Sequence, residues 1–362
     1  MNNNAEHRGL YIHIPFCLSK CPYCDFYSVK YDDSTAKAYS EAVKRNIIHY
    51  GGSFDTIYFG GGTPILLWRE ICEILKLVRT SSEPEVTVEA NPCCTDRENL
   101  SALFKAGVNR ISFGIQSLDD SQLGALGRRH SSDDAVNAVK TAAACGFYNI
   151  SADMMIGSQG QTVQGVTKTA DMLSKLPLQH ISVYMLKIEE NTPFALKKPE
   201  LPGEDEVCEM YLAVAQKLKD SGFEQYEISN FSRKGFECRH NLKYWNRDEY
   251  LGIGPAAHSH YNGTRFFTER NLSRFIESQF QSSIPEDDCG WTEAQEYAML
   301  RLRLSEGLYM KEYGKRGGNI NEFIKRLDNI PDFYFNYDND RVALTAEGFL
   351  VSNAVIGLLI GS

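Results

Sequence analysis

A tight group of cysteines near the start of the chain constrains its fold more than any other feature. Cys17, Cys21 and Cys24 form a C-x3-C-x2-C array directly after a strand pattern at residues 10–14. Three thiolates this close together can bind three irons of a cubic iron–sulfur cluster, and no nearby fourth cysteine closes the cluster as in electron carriers. A zinc knuckle is the alternative, but it usually has C-x2-C pairs and needs a fourth ligand. We therefore expect a cluster with one iron open to a ligand.

Length, charge and cysteine content limit the number of domains, the kinds of partner and the cellular compartment that we expect. The length of 362 residues suggests about two domains, and the net charge of −9 disfavours a nucleic-acid partner. The N-terminus shows no apolar signal region, and the last apolar run, residues 354–360, is shorter than the ~20 residues that cross a membrane. Ten irregularly spaced cysteines do not resemble a disulfide framework. We expect a cytoplasmic protein without a membrane span.

Strand and helix patterns alternate through the first 220 residues. The strand patterns lie at residues 10–14, 54–59, 86–90, 109–114, 149–154 and 180–185. This alternation predicts an α/β fold built from βαβ units around a parallel sheet. Right-handed crossovers would curl six such units into a partial (β/α)6 barrel. A doubly wound sheet stays open as an alternative.

The pattern changes after residue 220. Residues 221–260 are aromatic and irregular, and we assign residues 221–285 to a connecting region between a barrel at 1–220 and a C-terminal domain at 286–362. In that last segment we predict helices at 292–303, 308–314, 320–327 and 346–359, with a hairpin at 334–338 and 341–344. This order predicts a small α+β, winged-helix-like domain. No basic recognition helix is present, so we interpret it as a packing module or lid.

Polar residues and glycines follow the predicted strands at matching places. They are Gly61, Gly62, Thr63, Glu89, Gln116 and Asp153, with Arg128 soon after the fourth strand. A helix N-cap, a surface ion pair or a tight turn explains any one of them. Because ligands bind beyond the carboxyl ends of parallel strands, their coincidence favours a binding site.

Together the cysteines and these residues resemble the S-adenosylmethionine (SAM) site of the radical SAM superfamily, in its coproporphyrinogen dehydrogenase branch. The resemblance covers residues 10–260 and implies a 4Fe-4S cluster on Cys17, Cys21 and Cys24, with SAM at the open iron. It also implies a set of residues that contact SAM. These are Tyr11, Tyr23, Gly61, Gly62, Thr63, Glu89, Gln116, Arg128, Asp153 and Lys187.

Two departures distinguish branches of this superfamily. The dehydrogenases extend the cysteine array by C-x-C, whereas this chain has Phe26 in the last place. A second segment, CRHNLKYW at 238–245 within the connecting region, resembles the heme-binding motif of HemW-type heme chaperones. The resemblance implies a heme site at His240, Asn241, Tyr244 and Trp245. A histidine that satisfies a buried backbone group is the alternative.

Two other features of the sequence leave their roles open. His258 and His260 form an H-x-H pair that suits either a metal site or alternating strand positions, and His13 is expected to orient groups beside the cluster. The family resembled here usually has a second glycine where Ala256 or Ala257 stands.

The resemblance implies a heme chaperone that carries a 4Fe-4S cluster, SAM and heme and hands heme to an acceptor protein, soluble or membrane-associated. A homodimer is one arrangement, and the oligomeric state stays open. The rival function is oxygen-independent oxidative decarboxylation of coproporphyrinogen, against which Phe26 argues. A radical enzyme for an unrelated substrate is a third interpretation, because barrel folds support many chemistries.

Overall fold

A computed structural model describes residues 8–286, 290–338 and 340–361. Its main sheet contains β1 (Gly9–Ile14), β2 (Ser53–Gly61), β3 (Arg79–Ala90), β4 (Arg110–Gln116), β5 (Asn149–Ile156), β6 (His180–Met185), β7 (Glu224–Gln225), β8 (Asn230–Ser232), β9 (Tyr250–Ile253), β10 (His258–Tyr261), β11 (Thr264–Phe267) and β12 (Ile284–Pro285). Their spatial order is β12-β11-β10-β9-β1-β2-β3-β4-β5-β6-β8-β7. Within the described residues, β12 and β7 are therefore the two edges of an open sheet.

Strands β1 to β6 lie side by side in chain order, and each pairs with the next in parallel. A doubly wound sheet would place β1 inside the sheet and reverse direction there. The uninterrupted order instead gives the partial barrel that the sequence predicts. Beyond β1 the sheet continues through parallel β9 into the antiparallel strands β10 to β12.

Helices follow the strands, and most of them cover one face of this sheet, while Arg239–Asn246 packs on the opposite face. They are α1 (Asp33–Tyr50), α2 (Trp68–Leu75), α3 (Arg97–Lys105), α4 (Asp120–Ala125), α5 (Ser132–Ala144), α6 (Val163–Ser174), α7 (Pro193–Lys197), α8 (Glu204–Asp220), α9 (Arg239–Asn246) and α10 (Leu272–Glu277). Polar caps fix where several begin: the Asp32 carboxylate, for example, accepts a hydrogen bond from the Thr35 N–H at 2.8 Å. Short 3-10 turns occupy Pro64–Leu67 and Pro92–Cys94.

The alternation along β1 explains how the sheet separates packing from chemistry. Leu10, Ile12 and Ile14 are fully buried in the hydrophobic core that the sheet forms with its helices. Successive strand residues face opposite sides, so Tyr11 points to the other face. Its ring centroid lies 6.4 Å from that of His240 on α9. That inner face carries the polar and aromatic residues of both cavities described below.

The C-terminal segment has its own hydrophobic core. It contains α11 (Glu293–Arg301), α12 (Met310–Lys315), α13 (Ile320–Leu327), α14 (Ala346–Leu350) and α15 (Ser352–Ile360), a 3-10 turn at Asp332–Tyr334, and the antiparallel strands β13 (Leu308–Tyr309), β14 (Phe335–Tyr337) and β15 (Arg341–Leu344). Helices followed by a hairpin match the predicted α+β class, while the boundaries at 220 and 285 stay a prediction.

Three local predictions differ from the structure. The helix predicted at 308–314 begins as strand β13, which pairs with β15 before α12 starts. The single helix predicted at 346–359 breaks at Val351, so α14 and α15 are separate. The stretch 221–260, expected to be irregular, contains α9 and short strands. Asn339, in the predicted hairpin turn, lies outside the described residues.

Candidate functional site: two adjoining cavities

The loop after β1 carries the three cysteines. Phe16–Cys17 pairs in parallel with Val29–Lys30, which closes the loop at its base. The Thr63 hydroxyl lies 3.5 Å from Cys17 Sγ, and the Arg128 guanidinium lies 3.4 Å from Cys21 Sγ. One residue from the loop after β2 and one from the loop after Asp120–Ala125 therefore each contact one of the three sulfurs.

These thiols open into a cavity of about 520 Å³ at the carboxyl ends of the barrel strands. It gathers the three cysteines and most residues that the sequence predicts to contact SAM. Those lining it are Cys17, Cys21, Tyr23, Cys24, Gly61, Gly62, Thr63, Glu89, Gln116, Arg128, Asp153 and Lys187. Tyr11 is the exception among the predicted set, since it lines the neighbouring cavity instead. We call this first space the thiol cavity.

Two buried carboxyl groups line the thiol cavity. Burial and, to a smaller extent, the nearby Asp153 raise the pKa of Glu89 to about 7, against the lowering effect of the Tyr58 hydroxyl and the Gly61 N–H. Those two donors lie 2.8 and 3.1 Å from the Glu89 carboxylate. Burial also raises the pKa of Asp153. Such a pair favours a ligand that brings positive charge, because each carboxylate gains a partner when the ligand binds.

Unsatisfied polar atoms also line the thiol cavity. Gln116 Oε1 and Arg128 Nε are buried without a hydrogen-bond partner among the described residues. Gln116 also has a φ of 70°, at an irregularity in the pairing of β4 with β5. Buried polar groups are nearly always paired, and strained backbone tends to occur at functional sites. The two side chains are thus suited to hydrogen-bond a bound polar molecule.

The glycines after β2 let the backbone approach the cysteine loop closely. A Cβ atom on Gly62 would lie 2.6 Å from the Phe16 carbonyl oxygen, and Gly61 has a φ of 115°. The Gly62 N–H donates to the Ile14 carbonyl at 2.8 Å. Side chains at these two positions would push the cysteine loop away from Thr63.

The remaining predicted residue of this cavity, Lys187, lies at its rim. Its side chain is 81% exposed and forms an ion pair of 2.9 Å with Glu189. Other lining residues were not predicted, among them Ser112, Met155 and Tyr184. Ser112 and Met155 lie on barrel strands already known from the pattern, so the alternation of side chains along them was the available signal.

Within the ranges described, no three histidine, cysteine, aspartate or glutamate side chains stand close enough to share one metal ion. A cubic cluster makes a different demand, because each cysteine binds a separate iron.

The predicted heme motif forms α9, and its histidine is enclosed. His240 is 1% exposed, with Nδ1 2.8 Å from the Thr56 hydroxyl and Nε2 2.9 Å from the Tyr244 hydroxyl. Burial lowers its pKa to about 3. Asn241, Tyr244 and Trp245 are half-buried on the same helix. Both ring nitrogens of His240 are therefore engaged in this conformation, and its role as a heme ligand stays a prediction.

A second cavity, of about 550 Å³, adjoins the first. Most of its wall is aromatic, and we call it the aromatic cavity. Its rings come from Tyr11, Phe26, Tyr27, Tyr244, Tyr250 and Phe267, together with His13 and His258. Asp25 and Phe26 line both cavities, so this dipeptide forms their common border. Tyr244 links the predicted heme motif to this space.

Sequence reasoning did not predict the aromatic cavity as a site, and it did not single out Tyr27, Phe267 or Arg270. Its lining comes from four separated stretches of chain, so no local spacing announces it. The nearest signal was the aromatic pair Phe26 and Tyr27 directly after the cysteine array. The expected glycine in the 250–259 block also has a structural reason: Ala256 lines this cavity with a φ of 66°, where glycine is favoured.

Similar proteins place this geometry in a family. A profile of the radical SAM superfamily matches residues 11–173. The heme chaperone HemW of Bacillus subtilis (strain 168) is 35% identical, over 98% of this chain and 99% of that protein. The chain belongs to the HemW family. HemW of Escherichia coli (strain K12) is 32% identical, over 97% of this chain and 98% of that protein.

A solved structure supports the fold of this HemW-family chain. Coproporphyrinogen III oxidase (HemN) from Escherichia coli, a radical SAM enzyme, superposes with a TM-score of 0.82 over 98% of this chain and 91% of that chain. At 20% identity this likeness shows the fold alone. In the part of the HemW-family chain that the structure describes, every helix is too short or too polar to cross a membrane.

Proposed function

We propose that the protein is a heme chaperone that binds heme and hands it to an acceptor protein. Similarity to two HemW heme chaperones over nearly the whole chain carries the proposal. Likeness in fold to HemN does not decide between the functions, because related folds host different activities. Phe26 adds a chemical argument, since a phenyl ring can neither ligate metal nor exchange a proton where the dehydrogenases have cysteine.

The cofactors we propose are a 4Fe-4S cluster and SAM, both in the thiol cavity. Cys17, Cys21 and Cys24 supply three thiolates for three irons. The unpartnered buried atoms of Gln116 and Arg128 fit a ligand with carboxylate and hydroxyl groups. When bound, the cluster and SAM together supply one-electron chemistry at the SAM sulfonium.

The surrounding side chains hold that ligand and keep water away. Glu89 and Asp153 offer buried carboxyl groups to its cationic centres. Gly61 and Gly62 let the backbone pack closely against the cysteine loop, where Thr63 approaches Cys17, and their exposed backbone contacts the methionine part of the ligand. Tyr23 covers the cavity from the cysteine loop, and its ring lies 6.3 Å from that of Phe194. Lys187, at the exposed rim, contributes least to this set.

Partners follow from the same proposal. Heme is the cargo, and the recipient is a protein whose identity, soluble or membrane-associated, stays open. The cytoplasmic location stays a prediction, and the oligomeric state, with a homodimer as one arrangement, stays open.

Anaerobic reconstitution with iron and sulfide, followed by two parallel assays, tests the function. One titrates hemin into the protein. The other supplies coproporphyrinogen with SAM and a reductant. The proposal expects hemin uptake without protoporphyrinogen formation. Efficient decarboxylation would instead favour the coproporphyrinogen dehydrogenase reading.

A further inference from the structure

We propose that heme binds in the aromatic cavity and that His258, rather than His240, is the axial ligand of its iron. This inference rests on the proposed heme-chaperone function and names the site that function would use. It gives a role to a histidine of the H-x-H pair, and it separates the cargo site from the thiol cavity by one dipeptide, Asp25 and Phe26.

The size and walls of the aromatic cavity suit a flat apolar macrocycle. Its volume of about 550 Å³ lies within the range of ~300–1,000 Å³ typical of small-molecule sites. Tyr244 and Tyr250 meet edge to face with ring centroids 4.6 Å apart. Aromatic faces of this kind bury large areas and stack on other π-systems. A porphyrin ring fits these walls better than a small polar molecule does.

The two histidines of the cavity differ in what their ring nitrogens contact. His13 uses both: Nδ1 lies 3.0 Å from the Tyr11 hydroxyl and Nε2 lies 2.9 Å from the Tyr27 carbonyl. His258 uses only Nδ1, which lies 2.5 Å from the Glu286 carboxylate. Among the described residues, Nε2 of His258 has no hydrogen-bond partner, and the side chain is 60% exposed. His258 is therefore the cavity histidine with a nitrogen available to iron.

The contacts of His258 are those of a prepared metal ligand. Histidines that bind metal usually donate their other ring N–H to a carboxylate, which fixes the tautomer and makes the ligating nitrogen more basic. Glu286 occupies that place. The His258 ring also stacks on Phe267, its partner across β10 and β11, with centroids 5.6 Å apart. Carboxylate and phenyl ring together restrict the orientation of the imidazole.

The aromatic cavity contains a cationic side chain that could bind the propionate groups of heme. Arg270 lines the cavity, and its guanidinium donates to the Asp25 carbonyl at 3.1 Å and lies 5.9 Å from the Tyr27 ring centroid. Guanidinium groups bind carboxylates through paired hydrogen bonds. Arg270 is thus the cavity residue that would meet a propionate.

His240 then has a different task. Its Nε2 is hydrogen-bonded to the hydroxyl of Tyr244, and its Nδ1 is hydrogen-bonded to the hydroxyl of Thr56 on β2. Tyr244 is the residue of the HNxxYW segment that reaches the aromatic cavity. His240 is a positioning residue, which fixes one wall of the heme site from within the barrel.

Hemin titration of the full-length protein tests the site, with absorbance and EPR as readouts. His258→Ala should weaken hemin binding at least about tenfold and remove the spectral signature of an axial imidazole, and added imidazole should restore that signature. Glu286→Gln should weaken binding by about 10- to 100-fold, the loss expected when the partner of a ligating histidine is changed. His260→Ala is the matched control, because His260 lies two residues away and does not line the cavity.

The outcomes distinguish a failure of the proposed heme-chaperone function from a failure of the assignment of His258. If the wild-type protein takes up no hemin, or converts coproporphyrinogen, the proposed function fails. If the wild-type protein binds hemin and His258→Ala binds it with the same affinity and the same spectrum, the function stands and the assignment of His258 is overturned. Loss of the axial signature in His240→Ala but not in His258→Ala would return the ligand to the α9 motif.

Discussion

The two adjoining cavities differ in the groups they offer. The thiol cavity presents three cysteines, two buried carboxyl groups and unpartnered amide and guanidinium atoms. The aromatic cavity presents six carbon rings, one available histidine nitrogen and a single arginine. The first suits a charged, polar cofactor and the second a flat apolar cargo. The comparison teaches that one barrel can offer two chemically different spaces side by side, with Asp25 and Phe26 lining both.

The largest expected effect is the loss of the iron–sulfur cluster when a cysteine of the array is replaced, with no change in hemin binding. Cys21→Ser should reduce the iron and sulfide retained after reconstitution to background, because three irons need three thiolates. Hemin affinity should stay unchanged, since no cysteine lines the aromatic cavity. Iron analysis and hemin titration of the same sample measure both. Cys208→Ser on α8 is the matched control. Parallel loss of hemin binding in Cys21→Ser would show that the cavities are not independent.

The raised pKa of Glu89, in the thiol cavity, should make the free energy of unfolding depend on pH. Its pKa is raised by burial from 4.5 to about 7, so the folded chain retains a proton that the unfolded chain releases between those values. The associated stability is fully present below 4.5 and is lost as the pH rises through about 7, a loss of roughly 3 kcal/mol. Glu89→Gln should remove this part of the slope in denaturant unfolding.

The affinity for SAM should increase with pH, whereas the stability contributed by Glu89 decreases. SAM carries positive charge, so its affinity for the reconstituted protein should increase as Glu89 ionises near pH 7, by about tenfold. Glu227 is the matched control, because burial raises its pKa to about 7 too but it does not line the cavity. Glu227→Gln should change the stability slope and leave the pH dependence of SAM binding as it is. An identical pH profile for SAM in wild type and Glu89→Gln would contradict this reading.

His240 and His258 should differ in their contribution to the stability of the fold. His240→Ala removes two buried hydrogen bonds and a ring packed 5.2 Å from Tyr58, and should lower the free energy of unfolding by about 2 kcal/mol. His258→Ala should change it by less than about 0.5 kcal/mol, because that side chain is largely exposed. Denaturant unfolding of both variants makes the comparison. Equal losses would mean that His258 is a structural residue.

The smallest effect tests the loop that borders the aromatic cavity. Ala256 has a φ of 66°, so Ala256→Gly should stabilise the protein by about 1 kcal/mol. Ala257→Gly is the control with the opposite sign, because Ala257 is 1% exposed and loses a packed methyl group. Thermal unfolding measures both. Destabilisation by Ala256→Gly would show that its methyl group packs against the cavity wall.

The sequence predicted the barrel and the thiol cavity because both repeat a simple rule. Each βαβ unit begins with a recognisable strand, and Glu89, Gln116 and Asp153 recur where strands end. Parallel strands bring those ends together, so spacing along the chain becomes nearness in space. Tyr11, which the family resemblance and not this rule implied, lies on β1 before its carboxyl end and lines the aromatic cavity.

The aromatic cavity was beyond sequence reasoning for a physical reason. Tyr27, Tyr244, Phe267 and Arg270 meet only because β9 pairs with β1 across more than 200 residues. No local period encodes such a pairing. The motif around His240 pointed to the right region, but the hydrogen bonds that enclose its ring depend on Thr56 of a distant strand.

Simultaneous occupancy is the most direct test of two separate cavities. Anaerobically reconstituted protein, saturated with SAM and kept in excess reductant, is titrated with ferrous heme, which takes no electron from the cluster. Absorbance follows the heme and EPR follows the cluster. We predict that heme binds to saturation while the signal of the SAM-bound cluster keeps its shape and intensity. Replacement of that signal by the signal of the SAM-free cluster, in proportion to the heme added, would show that heme and SAM compete for one space, and would contradict the account.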